Sequence, residues 1–234
     1  MFIVKHLEVL KETSVSTENW AGYKIRQYVE SVKPQLEENQ LLNSVDFDSF
    51  PLNEMNRQDV FKFVQDAKNS SLSCALSIFA WGAMRRSNAR QVIYHSKNWL
   101  PVIERLRENP LKRDAVYDMF AELRSLGAKG MGPAYFTKLI YFLGRNETSR
   151  GYIMDQWTAR SINLLCGLDL IHLSKFQSFQ FVNDKNNGAV YEKFCACVEG
   201  LAQQLDVKPD EAELLIFSEG RSRGAWRTYV KENT

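Results

Sequence analysis

The apolar and polar positions of the chain follow a helical period over most of its length. Apolar residues recur at spacings of three and four in residues 56–83, 114–126 and 189–205, which predicts amphipathic helices with one buried face. Further helices are predicted to begin at Pro133 and Pro209, because proline suits the first helical position. The pattern therefore predicts an all-α protein.

Two stretches call for separate treatment. Residues 168–187 are irregular and contain the run N-D-K-N-N-G, which is typical of a loop. Near the start of the chain, Ser16 or Thr17 is the predicted N-cap of a helix that carries aromatic residues at near-helical spacing. Asp114 is the predicted cap of the helix that ends near Leu126.

Length and composition fit a compact folded protein. The chain has 234 residues, of which 44% are hydrophobic and 25% charged, so it can bury a sizeable core. We expect one domain over residues 1–234, built of two intimate helical lobes. No apolar run approaches the roughly 18 residues of a membrane span, and the start lacks the regions of a signal peptide. A soluble, cytoplasmic protein is expected.

A glycine-rich hairpin is predicted between the helix that ends near Leu126 and the helix that begins at Pro133. Gly130 and Gly132 flank Met131, and this spacing lets the backbone adopt positive φ twice and leaves amide groups without bulky neighbours. The N-terminus of the following helix offers free N–H donors and partial positive charge, which suit a phosphate. An ordinary corner between two helices, in which the glycines only turn the chain, is the alternative.

Asp155 is the second candidate for chemistry. It precedes Thr158, Ala159 and Arg160 in a pattern typical of a helix N-cap, and a capping carboxylate is held in one position. The alternative is that Asp155 only caps its helix.

Together these residues resemble a known superfamily. G-M-G-P-A-Y-F-T-K-L-I-Y-F-L, followed downstream by I-M-D-Q-W-T-A-R, is similar to the helix-hairpin-helix and Asp signature of the DNA glycosylases, most of all their 8-oxoguanine branch. The resemblance is close over residues 114–165. It implies a two-lobed all-α fold, with the helix-hairpin-helix at 114–143 and the Asp segment at 152–165 lining the cleft between the lobes.

The resemblance also implies an activity. The expected substrate is a damaged or modified purine, such as 8-oxoguanine, flipped out of double-stranded DNA during base excision repair. Gly130, Met131 and Gly132 would grip a DNA phosphate, with Lys129 and Ala134 beside them. Asp155 would be the essential carboxylate, stabilising positive charge on the sugar or helping to deprotonate the attacking group.

One position departs from the family pattern. Glycosylases that also cut the strand place a nucleophilic lysine two residues after the second hairpin glycine, and this chain has Ala134 there. This favours a monofunctional or an inactive protein. Lys138 lies one turn further along the same helical face, and helical side chains lean toward the N-terminus. Lys138 is therefore a catalytic candidate; phosphate contact and a solvated surface position are the alternatives.

Two further groups are candidates for contact with DNA. Arg85, Arg86 and Asn88 are predicted to lie in a loop that, in similar glycosylases, fills the gap left by the extruded nucleotide; a plain charged loop with Asn88 as a helix cap is the alternative. Trp157 and Trp81 are candidates for the base pocket, where an aromatic ring stacks on the flipped base. Trp157 fits a core position equally well.

Charge and cysteine content narrow the partners. The net charge is only +2, so any basic surface has to be one-sided. The four cysteines contain no C-x-x-C pair and the three histidines are scattered, so neither a metal nor a cofactor is expected. Two other functions stay open: a DNA-binding module that has lost catalysis, and an accessory factor of a bacterial antiviral defence pathway that acts on a modified nucleobase or deazaguanine-type group.

Overall fold

The computed structural model describes residues 2–13, 24–144, 150–177, 179–217 and 224–234. The predicted N-cap at Ser16 or Thr17 lies outside these residues. Within them the backbone forms thirteen α-helices and one two-stranded antiparallel sheet. The helices are α1 (Val4–Thr13), α2 (Ile25–Ser31), α3 (Lys33–Glu38), α4 (Arg57–Gln65), α5 (Ser71–Trp81), α6 (Arg86–Tyr94), α7 (Ser96–Glu108), α8 (Arg113–Ser125), α9 (Pro133–Leu143), α10 (Gln156–Cys166), α11 (Gly188–Leu205), α12 (Pro209–Phe217) and α13 (Ala225–Asn233). The strands are β1 (Leu173–Phe176) and β2 (Phe179–Val182).

The predicted all-α class is confirmed, with one local exception. The stretch 168–187, predicted to be irregular, contains the β1–β2 hairpin, in which Leu173 pairs with Val182 and Phe176 with Phe179. None of the helices within the described ranges combines the length and apolar character that crossing a bilayer requires.

The chain divides into two compact units. The middle unit is the continuous segment Ala21–Gly151, and the flanking unit combines Met1–Trp20 with Tyr152–Thr234. The glycine hairpin therefore belongs to the middle unit and Asp155 to the flanking unit.

The core of the middle unit is centred on α5. Every residue from Leu72 to Trp81 is buried, and α5 packs against α2, α4, α7 and α9. Local signals set the helix boundaries: the Asn56 side chain caps α4 in a reciprocal arrangement with Asp59, and the hydroxyl of Ser70 caps α5. Burial and side-chain capping thus fix the positions of α4 and α5 in the middle unit, which also contains the glycine hairpin.

The predicted cap at Asp114 is wrong. Helix α8 begins two residues earlier than this cap implies, at Arg113, and its N-cap is Lys112, whose side chain makes no capping hydrogen bond. Asp114 lies in the first turn, where its carboxylate accepts a hydrogen bond from the N–H of Ala115 at 2.8 Å. A carboxylate there still interacts favourably with the helix dipole.

The flanking unit is organised around α10, which packs against α1, α11, α12, α13 and β2. Two asparagines fix the segment that leads into the β1–β2 hairpin. Asn163 of α10 exchanges two hydrogen bonds with the backbone of Ile171, at 2.8 and 2.9 Å, and the buried Asn186 does the same with His172. These amides satisfy backbone groups that a short sheet leaves unpaired. The base of the hairpin is therefore anchored to α10.

Candidate functional site

The glycine hairpin connects α8 to α9 through residues 126–132. Positive φ occurs at Gly127 (+99°) and Gly130 (+92°). The expectation that Gly132 adopts positive φ is wrong: Gly132 is the N-cap of α9, with φ of −80° and extended ψ. A residue that precedes proline is driven to this extended region by the proline ring. Pro133 occupies the first turn of α9, as predicted.

Close packing against α6 holds the hairpin in place. A Cβ atom on Gly130 would lie 2.6 Å from the carbonyl oxygen of Asn88 and 2.8 Å from the Cβ of Gln91. The Met131 side chain is buried as well. Only glycine allows this approach of two backbones, so the position of the hairpin depends on Gly130.

The solvent side of the hairpin carries donors and positive charge. Among the residues that the structure describes, no acceptor bonds the backbone N–H groups of Gly130, Gly132 and Ala134. Lys129 is exposed, and a guanidinium nitrogen of Arg124 lies 3.9 Å from the Cβ position of Gly132. The sequence prediction missed Arg124. The one sequence signal that could have identified Arg124 is its position in the last turn of α8, directly before the glycine hairpin.

The candidate gap-filling residues lie in α6 and not in a loop. Arg85 is the N-cap residue, and Arg86 and Asn88 belong to the first turn of the helix. The predicted loop is therefore wrong, and so is the alternative in which Asn88 caps the helix, because α6 begins at Arg86 with Arg85 as its N-cap. Arg85 and Arg86 are exposed, and the Asn88 backbone contacts Gly130. The structure thus brings these residues and the hairpin together.

Lys138 is a buried residue of α9, with 9% of its surface exposed, which is inconsistent with a solvated surface lysine. Its side chain extends toward the helix N-terminus, and Nζ donates a hydrogen bond of 2.6 Å to the carbonyl oxygen of Ala134. The chain of methylenes packs on Gly82, whose Cβ position lies 2.8 Å from Lys138 Cδ. The amine therefore lies next to the residue that replaces the family lysine.

Asp155 is the N-cap of α10 in the flanking unit, as predicted. Its Oδ1 accepts hydrogen bonds from the N–H groups of Trp157 and Thr158, at 2.7 and 3.1 Å, and the Thr158 hydroxyl accepts one from the Asp155 N–H. Within the described residues, Oδ2 has neither a hydrogen-bond partner nor an ion-pair partner. One carboxylate oxygen thus fixes the side chain of this half-buried residue.

The two candidate base-pocket tryptophans have different surroundings. Trp157 is half-buried, with the cationic groups of Arg227, Arg160 and Lys231 at 4.5, 5.1 and 5.4 Å from its ring. Trp81 is buried in the middle unit and makes an edge contact with Phe142. A base can reach Trp81 only if its neighbours move, whereas the Trp157 ring already binds positive groups.

Two free thiols, one on α10 and one on α11, contact each other. The Sγ atoms of Cys166 and Cys197 lie 3.8 Å apart, and both residues are half-buried. Hydrogen bonding from Cys166 lowers the pKa of Cys197 to about 7, and the same bond raises the pKa of Cys166. Burial raises the pKa of Cys74 to about 11. The thiol that ionises near neutrality is therefore Cys197.

Alkylation should follow these pKa values, because the thiolate is the nucleophile. We expect modification of Cys197 by iodoacetamide to rise with pH, with its midpoint near pH 7, while Cys74 stays unmodified at that pH. Peptide mass spectrometry measures both. Cys166→Ala removes the hydrogen-bond partner of Cys197 and should move the midpoint upward. A midpoint for Cys197 that is unchanged in this variant contradicts the assignment.

Comparison with known proteins identifies one family. The sequence model of the family described as "Putative 8-oxoguanine DNA glycosylase OGG-like protein" matches residues 18–217. This match confirms the resemblance found at residues 114–165 and extends it to most of the chain. No curated protein and no solved structure matches the chain.

Proposed function

The chain belongs to the OGG-like family of 8-oxoguanine DNA glycosylase-like proteins, and from this premise we propose that it hydrolyses the N-glycosidic bond of a damaged or modified purine flipped out of double-stranded DNA. The observation that carries the proposal is the state of Asp155. Its side chain is immobilised by two backbone donors through Oδ1, while Oδ2 has no partner among the described residues.

That arrangement suits the chemistry of base release. As the bond between base and sugar breaks, positive charge develops on C1′ and the ring oxygen of the deoxyribose. A fixed carboxylate stabilises this charge without having to reorganise. Asp155 would act in this way, and Oδ2 would accept the proton of a water that attacks C1′. No metal or cofactor takes part in this scheme.

The hairpin would bind the backbone of the same DNA. The unbonded N–H groups of Gly130, Gly132 and Ala134 suit a phosphate oxygen, and the dipole of α9 adds positive charge. Lys129 and Arg124 would supply charge-assisted contacts. Such contacts set the register of the protein on DNA and are independent of base sequence.

We further propose roles for the neighbouring residues of the site. Exposed Arg85 and Arg86, with Asn88, lie on the helix that contacts the hairpin, so they would engage the DNA near the extruded nucleotide. Trp157 would contribute to the base pocket through the edge or face that its cationic neighbours leave open. Together these groups would decide which base is accepted.

A lesion panel tests the function. Duplexes that carry 8-oxoguanine, other oxidised purines, methylated purines or unmodified bases at one position are incubated with the protein, and released bases are identified by mass spectrometry. Hot alkali then reveals abasic sites. Release of one modified purine well above the unmodified control supports the proposal, and a panel with no release at any position contradicts it.

Lys138 is proposed to give the enzyme a strand-cutting step. Base release leaves a sugar whose open-ring form carries an aldehyde at C1′. A neutral amine adds to this aldehyde and expels water to form a Schiff base, which borohydride reduces to a stable adduct. We expect a trapped adduct with the wild-type protein and at least about a hundredfold less with Lys138→Gln, which keeps most of the apolar packing. Denaturing gels measure the adduct.

The control for this experiment is Lys68→Gln, because Lys68 is an exposed lysine of the same unit. It should trap like wild type. Base release without any trapped adduct in the wild-type protein contradicts the role of Lys138 and leaves water as the nucleophile. The melting temperature of Lys138→Gln separates loss of chemistry from loss of folding.

A second candidate function is supported by one observation. The family lysine is replaced by Ala134, and the nearby Lys138 amine is already bonded to a carbonyl oxygen. A protein in this state would bind lesion DNA without releasing the base. Tight, lesion-selective binding with no base release in the panel would favour this module over the enzyme.

A further inference from the structure

A pocket with basic residues in its wall lies in the flanking unit, apart from Asp155. It has a volume of about 580 Å³ and is formed by α1, α10, the β1–β2 hairpin and α13. Its lining includes four basic side chains and one acidic one: His6, Arg160, His172, Lys185 and Asp169. Asp155 is not among the lining residues, although Arg160 follows it by five positions on α10, about 7.5 Å along the helix axis.

We propose that this pocket binds a phosphate-bearing ligand of nucleotide size. The proposal goes beyond the glycosylase function and does not depend on it. Its central observation is the Arg160 side chain, which is 8% exposed and forms part of the pocket wall.

Arg160 is held by hydrogen bonds and, among the described residues, forms no ion pair. Its Nε and Nη2 donate to the hydroxyl of Thr234 at 2.9 and 2.6 Å, and its guanidinium lies over Trp157. No carboxylate of the described residues forms an ion pair with it. Burial lowers the pKa of Arg160, which reflects the cost of keeping this cation out of water. An anion in the pocket would offset that cost.

The other basic groups are also without an acidic partner. None of His6, His172 and Lys185 forms an ion pair within the part of the chain that the structure describes. The His6 Nδ1 is hydrogen-bonded to the Tyr229 hydroxyl at 2.8 Å, which orients the ring and leaves Nε2 for a ligand. His172 and Lys185 are exposed. At neutral pH the positive charge of the pocket comes from Arg160 and Lys185, because burial and the nearby Lys5 lower the pKa of His6.

The wall of the pocket is rigid where these residues attach. Asn186 binds both backbone groups of His172, and the side chain of Asn183 accepts a hydrogen bond from the N–H of Lys185 at 2.9 Å. Asn163 fixes the neighbouring Ile171 to α10. A pocket whose backbone is already ordered loses little conformational entropy when a ligand binds.

Phosphate is the anion that best suits this set of donors. Arginine presents a planar fork that matches phosphate oxygens, and histidine and lysine add single donors around it. The volume lies within the usual range for small-molecule sites, about 300–1,000 Å³, and therefore leaves room for a nucleoside beside the phosphate. The same chemistry has two sources: a free nucleotide, and a phosphodiester of DNA.

Calorimetric titration separates the two sources. The wild-type protein is titrated with pyrophosphate, with deoxynucleoside monophosphates and triphosphates, and with an undamaged duplex. Arg160→Gln should weaken binding of the true ligand by about tenfold or more, since one charge-assisted contact is lost. The double variant His172→Gln, Lys185→Gln should weaken it by about threefold to tenfold, because exposed charges are screened.

The control is Lys175→Gln. Lys175 is an exposed lysine of β1 that does not line the pocket, and its replacement should leave the affinity unchanged. Weakened nucleotide binding in the pocket variants assigns a free ligand, and weakened duplex binding alone assigns a DNA phosphate. If the pocket variants bind every one of these probes as tightly as wild type, the proposal is overturned. The double variant alters exposed side chains, so this result stands even if Arg160→Gln unfolds.

Base release on the lesion panel keeps this proposal separate from the proposed function. If the protein binds nucleotides in the pocket but releases no base, the pocket proposal stands and the glycosylase proposal fails. If the protein releases base but the pocket variants bind every probe with wild-type affinity, the glycosylase proposal stands and the pocket proposal fails.

Discussion

Asp155→Asn is expected to lower the rate of base release by about 10³-fold, the usual effect of removing one group that stabilises developing charge or accepts a proton. Asparagine is nearly isosteric with aspartate and caps helices equally well. Its side-chain oxygen can accept the same two hydrogen bonds from Trp157 and Thr158. The negative charge is therefore lost while α10 keeps its start. Single-turnover assays on the preferred lesion, with thermal melting, measure both properties.

Asn187→Ala is the matched control, since Asn187 caps α11 in the same unit through a bond from the Val190 N–H at 3.0 Å. It should cost about 1 kcal/mol of unfolding free energy and leave base release unchanged. Asp155→Asn should thus lower base release and keep stability, whereas Asn187→Ala should lower stability and keep base release. Base release by Asp155→Asn at more than about a tenth of the wild-type rate contradicts the catalytic role of the carboxylate.

Gly130→Ala is expected to have the largest effect on stability of any change in the hairpin. The new methyl group would lie 2.6 Å from the Asn88 carbonyl oxygen, and the residue would have to keep a φ of +92°. Strain of about 1–2 kcal/mol for the backbone adds to about 1–3 kcal/mol for overpacking. We expect a total loss of about 3 kcal/mol, measured by urea denaturation, together with weaker duplex binding.

Gly127→Ala separates these two contributions. Gly127 has a similar φ of +99°, but its Cβ position has no atom within 4 Å. This variant should lose only about 1–2 kcal/mol and bind DNA like wild type. Equal losses for the two variants would show that contact between the hairpin and α6 contributes nothing to stability.

Local sequence signals predicted most helix positions correctly. Pro133 begins α9, Asp155 caps α10, and the helices within residues 56–83 form with a side-chain cap at each start. Such signals act within a few residues of the positions they determine, so a single sequence suffices to find them.

The β1–β2 hairpin was not predictable in the same way. Its strands have only four residues each, and their large apolar residues face solvent. Phe176, Phe179 and Phe181 lie on one face of the hairpin and are exposed. Its base is anchored by the amides of Asn163 and Asn186, which bond the backbone of Ile171 and His172 from 8 and 14 positions away. Tertiary contacts of this kind override the local pattern.

The candidate site shows the same division. The direction of helical side chains predicted that the Lys138 amine reaches back along α9, and it lies at the carbonyl of Ala134. By contrast, the proximity of Arg124 to Gly132, and of Asn88 to Gly130, depends on how the helices pack. The roles of these residues on DNA stay predictions.

Chain order has a consequence for biosynthesis. Helix α1 packs against α13, and His6 is bonded to Tyr229, 223 positions later. At about 5–20 residues per second, the ribosome needs roughly 10–45 s to deliver the partner of the first helix. The continuous segment Ala21–Gly151 is complete long before then. The middle unit can thus fold during translation, whereas the unit that carries Asp155 has to wait until α13 has emerged.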